Sequence, residues 1–211
     1  MNKINTTEKK SYLYNLLDLP LIYSFIQFLL RKSDTNYRLF SEYIQLEKET
    51  LVLDCGCGPG THRKFMKSED YIGIDINKKH ILSAKNRFVK DQFIHEDLLN
   101  IEKIDLTKNI DAVVMIGILH HLDNDICKNL FINLHKKIAD EGKIYTLDPV
   151  YLDNQSRISK YLVSKDKGNY VRTPESYKNL VGSKFKIEVS IISDFLRVPY
   201  DHYFMKIKKD V

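Results

Sequence analysis

Short apolar runs alternate with longer amphipathic segments through the middle of the chain. Five of the runs have the length of a buried strand, and they span residues 51–54, 71–76, 92–98, 111–116 and 142–148. Segments 77–90 and 123–138 have helical character, and the second repeats apolar residues at four-residue steps from Ile126 to Ile138. Strands that alternate with helices in this way predict a parallel sheet in an α/β protein.

The pattern loosens after residue 148. Residues 156–164 fit a short helix, and Thr173 begins a sequence that is typical of a helix N-terminus. Alternating apolar and polar residues then predict two strands, at 185–192 and 200–207.

Ahead of the first predicted strand, residues 16–30 form an apolar run. The run is too short to span a bilayer, and Pro20 near its start suits the first turn of a helix. We predict a helix here that lies over the ligand-binding end of the sheet, and a second helix at 34–49. Residues 1–49 then form an N-terminal helical cap or lid on one main domain at 50–211. The alternatives for the first helix are ordinary packing, a substrate lid and a lipid-contacting surface.

A glycine-rich loop follows the first predicted strand. The strand ends in Asp54, and glycines follow at alternate positions, Gly56, Gly58 and Gly60. Because glycine lacks a Cβ, such a loop turns tightly and lets its backbone approach a ligand. The spacing differs from the G-x-G-x-x-G dinucleotide fingerprint, and the Gly-Lys-Ser/Thr ending of a phosphate loop is absent. The arrangement indicates the nucleotide-binding corner of a Rossmann-like sheet, with residues 61–67 opening a helix.

The pattern Asp-x-Gly-x-Gly-x-Gly resembles the S-adenosylmethionine loop of class I methyltransferases. Asp75 ends the second predicted strand about twenty residues past Asp54, where an acid can accept hydrogen bonds from both ribose hydroxyls. Asp97 ends the third strand, and in the family such an acid contacts the adenine amino group while its apolar neighbour flanks the ring. The resemblance implies S-adenosylmethionine as cofactor and S-adenosylhomocysteine as product. The cofactor-binding residues that it implies are Asp54, Gly56, Cys57, Gly58, Gly60, Asp75, Ile76, Asp97, Leu98 and Gly117.

Two further motifs extend the resemblance over about residues 50–150. The fourth predicted strand runs into the sequence Leu-His-His-Leu at 119–122, and the family often carries a similar turn there. The resemblance implies an α/β fold, a Rossmann-like three-layer sandwich with a seven-stranded, mostly parallel sheet and an antiparallel last strand. In our prediction the N-terminal helical cap precedes this domain.

Candidate catalytic residues follow the fourth and fifth strands. A hydroxyl or acidic-carbon acceptor needs a base, and histidine titrates near neutrality. His120 and His121 lie at the carboxyl edge, and we favour His121 because it lies deeper in the turn. A structural hydrogen bond or a cofactor contact is the alternative for both. Asp148 and Tyr151 follow the fifth strand, although Asp148 also suits an ordinary Asp-Pro turn, and His202 is a second candidate base.

The basic residues Arg157, Lys165 and Arg172 are candidates for binding a phosphate or carboxylate on the acceptor. A solvated loop is the alternative for this region. The chain has three cysteines, which form no disulfide framework, and no motif requires a metal ion.

Composition adds weak constraints on partners and compartment. The net charge is +5 with a pI near 8.9, and the lysines are spread along the chain, which argues against a nucleic-acid partner. No apolar leader with a small-residue cleavage site begins the sequence, and the cysteine usage suits a reducing compartment, so we expect a cytoplasmic protein. Peripheral membrane contact through residues 16–30 and the oligomeric state stay open.

Three functions compete for this sequence. The first is methyl transfer to oxygen, nitrogen or carbon of a small molecule such as a saccharide, a lipid-linked intermediate or a secondary metabolite. The second is RNA or DNA methylation, but the Asn/Asp-Pro-Pro-Tyr/Phe turn of base-amino methyltransferases is absent after the fourth strand. The similar Asp-Pro-Val-Tyr sequence at 148–151 follows the fifth strand instead. The third is a non-catalytic protein that binds S-adenosylmethionine or acts as a scaffold.

Overall fold

The computed structural model describes residues 32–48, 50–104, 108–166 and 168–210. Seven strands form one sheet in the order β3-β2-β1-β4-β5-β7-β6. All pairs from β3 through β5 are parallel, and β7 is antiparallel to both of its neighbours. The predicted mostly parallel sheet with an antiparallel last strand is therefore confirmed. The strands are β1 Leu51–Cys55, β2 Asp70–Asp75, β3 Gln92–His95, β4 Ile110–Ile116, β5 Ile138–Pro149, β6 Phe185–Ile192 and β7 His202–Lys209.

Helices and short helical turns connect these strands. The helices are α1, which comprises an α-helical turn Thr35–Arg38 and a π-helical segment Leu39–Ile44, then α2 Lys78–Arg87, α3 Asn124–Lys137, α4 Arg157–Ser164 and α5 Pro174–Val181. The 3-10 turns are Arg63–Phe65, Leu98–Lys103 and Leu119–His121.

Polar side chains explain why four helices begin where the sequence predicts. Each cap accepts a hydrogen bond from a backbone N–H in the first turn, which would otherwise lack a partner within the helix. The caps are Asn77 for α2, Asp123 for α3, Ser156 for α4 and Thr173 for α5.

The central strands β1 and β4 are buried on both faces of the sheet, as parallel strands generally are. Helices α3 and α5 contribute Leu130 and Tyr177 to the core on one face. Helices α1 and α2 contribute Phe40 and Ile81 to the core on the other face. The result is the predicted three-layer sandwich.

Strand register brings the predicted site residues to one edge. Strands β1 and β2 are aligned so that Asp54 and Asp75 both lie at their carboxyl ends, beside the junction with β4, which ends just before Gly117. Asp148 lies near the end of β5, and the antiparallel β7 begins with His202 beside it. Ligands of open α/β sheets bind at this edge, where neighbouring strands run into crossovers on opposite faces.

The predicted helix at 61–67 is wrong, because the structure has a single 3-10 turn there, Arg63–Phe65. Met66 then has extended backbone angles, φ −88° and ψ 120°. The Arg63 guanidinium donates to the Met66 carbonyl at 3.0 Å, and the Ser68 hydroxyl donates to the Thr50 and Asp70 carbonyls. These side-chain bonds turn the chain directly into β2 instead of continuing a helix.

The N-terminal cap stays a prediction. The helix predicted at 16–30 lies outside the described residues. The helix predicted at 34–49 corresponds to α1, which ends earlier because Gln45 adopts a left-handed conformation with φ 49°. Within the described part of the chain, no helix combines the length and apolar character that crossing a membrane requires.

Candidate active site

The glycine loop after β1 is held against β2 by backbone hydrogen bonds. The N–H groups of Gly56 and Cys57 donate to the Ile74 carbonyl at 2.7 and 3.0 Å. A Cβ on Gly60 would lie 2.8 Å from the Phe88 ring, so this close approach requires glycine. The glycines at 56, 58 and 60 have φ values of 74°, 55° and 74°, which glycine adopts without a steric penalty.

Asp75 lies at the mouth of this loop and organises it. One carboxylate oxygen accepts from Gly58 N–H at 2.9 Å, and the other accepts from Asn77 N–H at 2.7 Å. His80 lies alongside, with Nδ1 3.6 Å from the second oxygen. A carboxylate oxygen has capacity for a second hydrogen bond, so the oriented carboxylate is suited to accept from vicinal hydroxyls of a ribose.

Asp54 is buried behind the loop and is braced by Tyr71. The Tyr71 hydroxyl donates to its Oδ2 at 2.7 Å. Burial raises the pKa of Asp54 to about 7, against the opposing hydrogen bond from Tyr71 and with a smaller contribution from the nearby Asp75 charge. The Arg63 guanidinium lies 4.8 Å from the centre of the Tyr71 ring and binds Asp91 through two nitrogens at 2.6 and 2.9 Å.

The residues predicted to surround adenine line the next part of the edge. Asp97 caps the Leu98–Lys103 turn by accepting from Leu99 N–H at 3.0 Å. The Ile76 side chain is 66% exposed, and its carbonyl lies 2.9 Å from His95 Nε2. An apolar side chain that is exposed here is available to pack on a ligand ring.

Two further cofactor candidates are part of the turns themselves. Gly117 has φ 69°, and its N–H donates to the Leu147 carbonyl at 2.8 Å. Cys57 is buried, and burial raises the pKa of its thiol, so it packs as a neutral side chain. The structure therefore gathers the cofactor candidates along the β3-β2-β1-β4 edge, and their contacts with a cofactor stay a prediction.

His120 is held between two buried carboxylates. Asp148 Oδ1 lies 2.7 Å from Nδ1, and Asp166 Oδ1 lies 3.1 Å from Nε2. Burial by itself lowers the pKa of His120, but the two hydrogen bonds and charges outweigh it and raise the pKa to about 9. The imidazole therefore carries a proton at neutral pH, with both nitrogens occupied. This geometry suits a structural cation, not the base that the sequence left open for His120.

The raised pKa of His120 predicts that stability falls in alkaline solution. Its contribution is fully present below the unfolded value of about 6.5 and is lost as the pH rises through about 9. At about 1.4 kcal/mol per pKa unit, we expect the free energy of unfolding to fall by about 2–4 kcal/mol over this range. Chemical unfolding at pH 6.5 and 9.5 measures it. His120→Gln has no titrating group here and should lose most of the difference; an unchanged difference would contradict the assignment.

His121 lies beside this cation and has the opposite electrostatics. Its ring centre lies 4.0 Å from that of His120, at an interplanar angle of 41°. Burial and the His120 charge lower its pKa, so its imidazole is neutral at physiological pH. A neutral imidazole at the carboxyl edge can accept a proton, as a base requires.

The structure brings the catalytic candidate Tyr151 and the acceptor candidate Arg157 to the same cavity. Tyr151 and Arg157 line one cavity of about 760 Å³, together with Tyr161 and Thr173. Lys165 is exposed, with Nζ 5.7 Å from the Tyr161 ring centre. These side chains are accessible to a ligand.

Arg172 corrects the sequence-based expectation, because its guanidinium is engaged within the protein. It is 7% exposed and donates to the carbonyls of Leu119 and Leu122 at 2.7 and 2.6 Å, and to Asn124 Oδ1 at 2.9 Å. An arginine with these partners is not available to hold a substrate anion. The basic residues of the loop were treated alike in sequence because nothing in their spacing distinguishes a buried guanidinium from a solvated one.

His202 and Asp148 come from neighbouring strands but face opposite sides of the sheet. Asp148 is on the α3 and α5 side with His120, whereas His202 packs against Phe195 and Tyr200 at ring distances of 5.9 and 5.0 Å. Asp166 is the functional candidate that sequence reasoning missed. The only signal for it is the Asp-x-Gly turn in a charged loop, in which the Gly168 N–H donates to the Asp166 carboxylate.

Comparison with known proteins agrees with the fold. A family model described as a methyltransferase domain matches residues 52–142. No curated protein matches the sequence. The pyocyanin biosynthetic protein PhzM is 16% identical over 94% of this chain and 61% of its own, with a TM-score of 0.68. This chain therefore spans less than two thirds of that protein's length.

Two other solved structures are similar. Human N-acetylserotonin methyltransferase in complex with S-adenosylmethionine is 16% identical over 85% of this chain and 52% of its own, with a TM-score of 0.64. The plantazolicin methyltransferase BamL in complex with S-adenosylhomocysteine is 20% identical over 97% of this chain and 91% of its own, with a TM-score of 0.59. These likenesses show that the chain shares the fold of these methyltransferases, and its residues 52–142 match a methyltransferase domain model.

Proposed function

We propose that this protein transfers the methyl group of S-adenosylmethionine to a small-molecule acceptor. The observation that carries the proposal is the carboxylate of Asp75, fixed by the N–H groups of Gly58 and Asn77 at the mouth of the glycine loop. It has the position and acceptor capacity that a cofactor ribose requires. The exposed Ile76 side chain and the neighbouring Leu98 provide apolar surfaces for adenine.

When bound, the cofactor supplies a methyl group on a sulfonium, and the thioether that remains after transfer is the leaving group. The protein then has to orient the acceptor, exclude water and remove a proton where the acceptor is a hydroxyl. We assign proton removal to His121, whose neutral imidazole lies at the carboxyl edge beside β4. His120, already protonated between Asp148 and Asp166, holds the turn that carries it.

A small organic acceptor suits this surface better than a nucleic acid. The net charge of +5 is a modest excess, and its lysines are scattered along the sequence, a composition that does not favour a phosphate-backbone partner. The cavity lined by Tyr151, Arg157 and Tyr161 offers aromatic surface and one guanidinium, which suits a ligand with a planar or apolar part and an anionic group. Lys165, whose Nζ lies 5.7 Å from the centre of the Tyr161 ring, is a further candidate for binding that anionic group. The solved relatives named for pyocyanin, N-acetylserotonin and plantazolicin act in small-molecule chemistry.

Calorimetric titration with S-adenosylmethionine, S-adenosylhomocysteine and NAD tests this proposal. We expect micromolar binding of the first two and none of NAD. Binding of NAD alone would overturn the cofactor assignment. Binding of S-adenosylmethionine without methyl transfer to any member of a broad panel of phenols, amines and thiols would favour the non-catalytic alternative.

Asp75→Ala is expected to weaken S-adenosylmethionine binding at least tenfold, because it removes paired ribose hydrogen bonds worth about 1.5–3 kcal/mol. The same titration measures the change. Asp70→Ala is a matched control, since Asp70 is exposed at the opposite end of β2. Equal affinities for the two variants would contradict the role of Asp75.

A further inference from the structure

The loop between α4 and α5 binds the turn Leu119–His121. Its first contact is the carboxylate of Asp166, whose Oδ1 lies 3.1 Å from His120 Nε2, the nitrogen that Asp148 does not contact. Both carboxylates are nearly inaccessible, with side-chain exposures of 8% for Asp166 and 2% for Asp148. A charge pair removed from water in this way is stable only when its geometry and hydrogen bonds are good. Asp166 meets this requirement, since its Oδ1 also accepts from the Gly168 N–H at 2.9 Å, whereas Asp148 Oδ2 is buried without a hydrogen-bond partner among the described residues.

The second set of contacts consists of hydrogen bonds to the backbone of the turn. The Arg172 guanidinium donates to the carbonyls of Leu119 and Leu122, which flank the two histidines, and also to the Tyr170 carbonyl at 2.9 Å. The Tyr170 N–H in turn donates to the His120 carbonyl at 2.9 Å. The ring and the backbone of His120 are therefore both bound by the same loop.

Close packing and a third segment complete this arrangement. A Cβ on Gly168 would lie 1.9 Å from the His120 ring and 2.6 Å from its carbonyl oxygen, so only glycine allows the loop to approach this closely. The second carboxylate oxygen of Asp166 accepts from the Tyr200 hydroxyl at 2.8 Å. Asp166 thus links Tyr200, which lies just before β7, to His120 in the turn after β4.

We propose that Asp166 is a positioning residue for methyl transfer: its ion pair with His120 fixes the ring against which the base His121 packs. This inference rests on the proposed function and concerns the same site. Asp166 acts through the His120 ring, which its carboxylate contacts at Nε2. If Asp148 were the only partner, a neutral imidazole with one N–H group could donate to it. Because Asp166 faces the second nitrogen, both nitrogens must be protonated to donate to the two carboxylates.

The charges around His120 support this role. Asp148 from β5 and Asp166 from the loop stabilise the imidazolium, while burial disfavours it. Arg172 lies near through its bond to the Leu119 carbonyl, and the neutral His121 lies beside the ring on the same turn. The resulting cation repels a second proton on His121. The protonated His120 ring therefore both fixes the position of His121 and keeps it neutral.

Histidine-selective ¹⁵N NMR on the ligand-free full chain tests the inference with Asp166→Asn, which keeps the shape and removes the charge. In the unaltered protein, both His120 nitrogens should stay protonated to about pH 9. In the variant, we expect the titration midpoint of His120 to fall by at least about one pH unit, a tenfold change in its acid constant. Asp125→Asn, on the exposed start of α3, is the matched control and should change neither histidine.

A His120 midpoint that stays within about 0.3 pH units in Asp166→Asn would overturn the inference. Asp166→Ala removes the same charge with a smaller side chain and should shift the midpoint in the same direction, which provides a second test if the first variant does not fold. Because the titration needs no ligand, its result is independent of S-adenosylmethionine binding. Absence of S-adenosylmethionine binding in the calorimetric titration would count against the proposed function. An unchanged titration midpoint of His120 in Asp166→Asn would count against the positioning role of Asp166.

Discussion

Replacing His121 with alanine or glutamine is expected to reduce turnover by a factor of about 10²–10⁴ with a hydroxyl acceptor, while S-adenosylmethionine affinity changes little. The reason is that the neutral imidazole accepts the proton during transfer but contributes no hydrogen bond to the ribose. Single-turnover rates with the best hydroxyl acceptor from the panel, together with calorimetric cofactor affinities, measure the two effects separately.

The pH profile provides the more specific evidence. Because burial and the His120 charge lower the pKa of His121, kcat/KM should rise with pH around a midpoint below the usual histidine value, and His121→Gln should lose this rise. His135→Ala is the control, since His135 lies near the end of α3 with its ring against Phe185, at the opposite edge of the sheet. Normal turnover in His121→Gln would return His121 to a structural role.

Arg63→Ala is expected to lower the free energy of unfolding by about 3–5 kcal/mol, because it leaves the buried Asp91 carboxylate without its partner. The pair has side-chain exposures of 13% and 8%, and the arginine also packs on Tyr71 and binds the Met66 carbonyl. Urea unfolding measures the loss. Cofactor affinity should fall as well, since Tyr71 holds Asp54 behind the glycine loop.

A surface ion pair supplies the comparison. Lys48 and Glu69 approach to 2.9 Å with side-chain exposures of 65% and 68%, so Lys48→Ala should cost less than about 1 kcal/mol. Similar small losses for the two variants would contradict a structural role for the Arg63 pair.

Local sequence signals predicted most of the fold because each acts within a few residues. Apolar runs predicted the strands, and the side chains of Asn77, Asp123, Ser156 and Thr173 marked four helix starts that the structure confirms. The glycine loop and Asp75 were likewise found from spacing alone. The exception at 61–67 arises because Arg63 bonds to Met66 and Asp91, and the second of these partners is distant in sequence.

The acceptor side was less predictable because it is assembled from segments far apart in the chain. Sequence could not decide between His120 and His121, since the difference lies in Asp148 and Asp166, which lie beyond them in the sequence and reach only the first ring. Arg172 was assigned to substrate for the same reason. Three of its acceptors are backbone carbonyl groups, which every residue has and which therefore cannot be identified from the sequence.

The backbone of the glycine loop also bears on which cofactor can enter. Its glycines have positive φ, and its N–H groups already have acceptors within the protein: those of Gly56 and Cys57 donate to the Ile74 carbonyl, and that of Gly60 donates to the Cys57 carbonyl. In this protein Asp75 already supplies an anion to the Gly58 N–H. A pyrophosphate brought to the same place would meet the negative charge of that carboxylate, whereas a sulfonium and an ammonium group bring the opposite sign. Selection between the two cofactor types thus begins with a carboxylate that belongs to the protein itself.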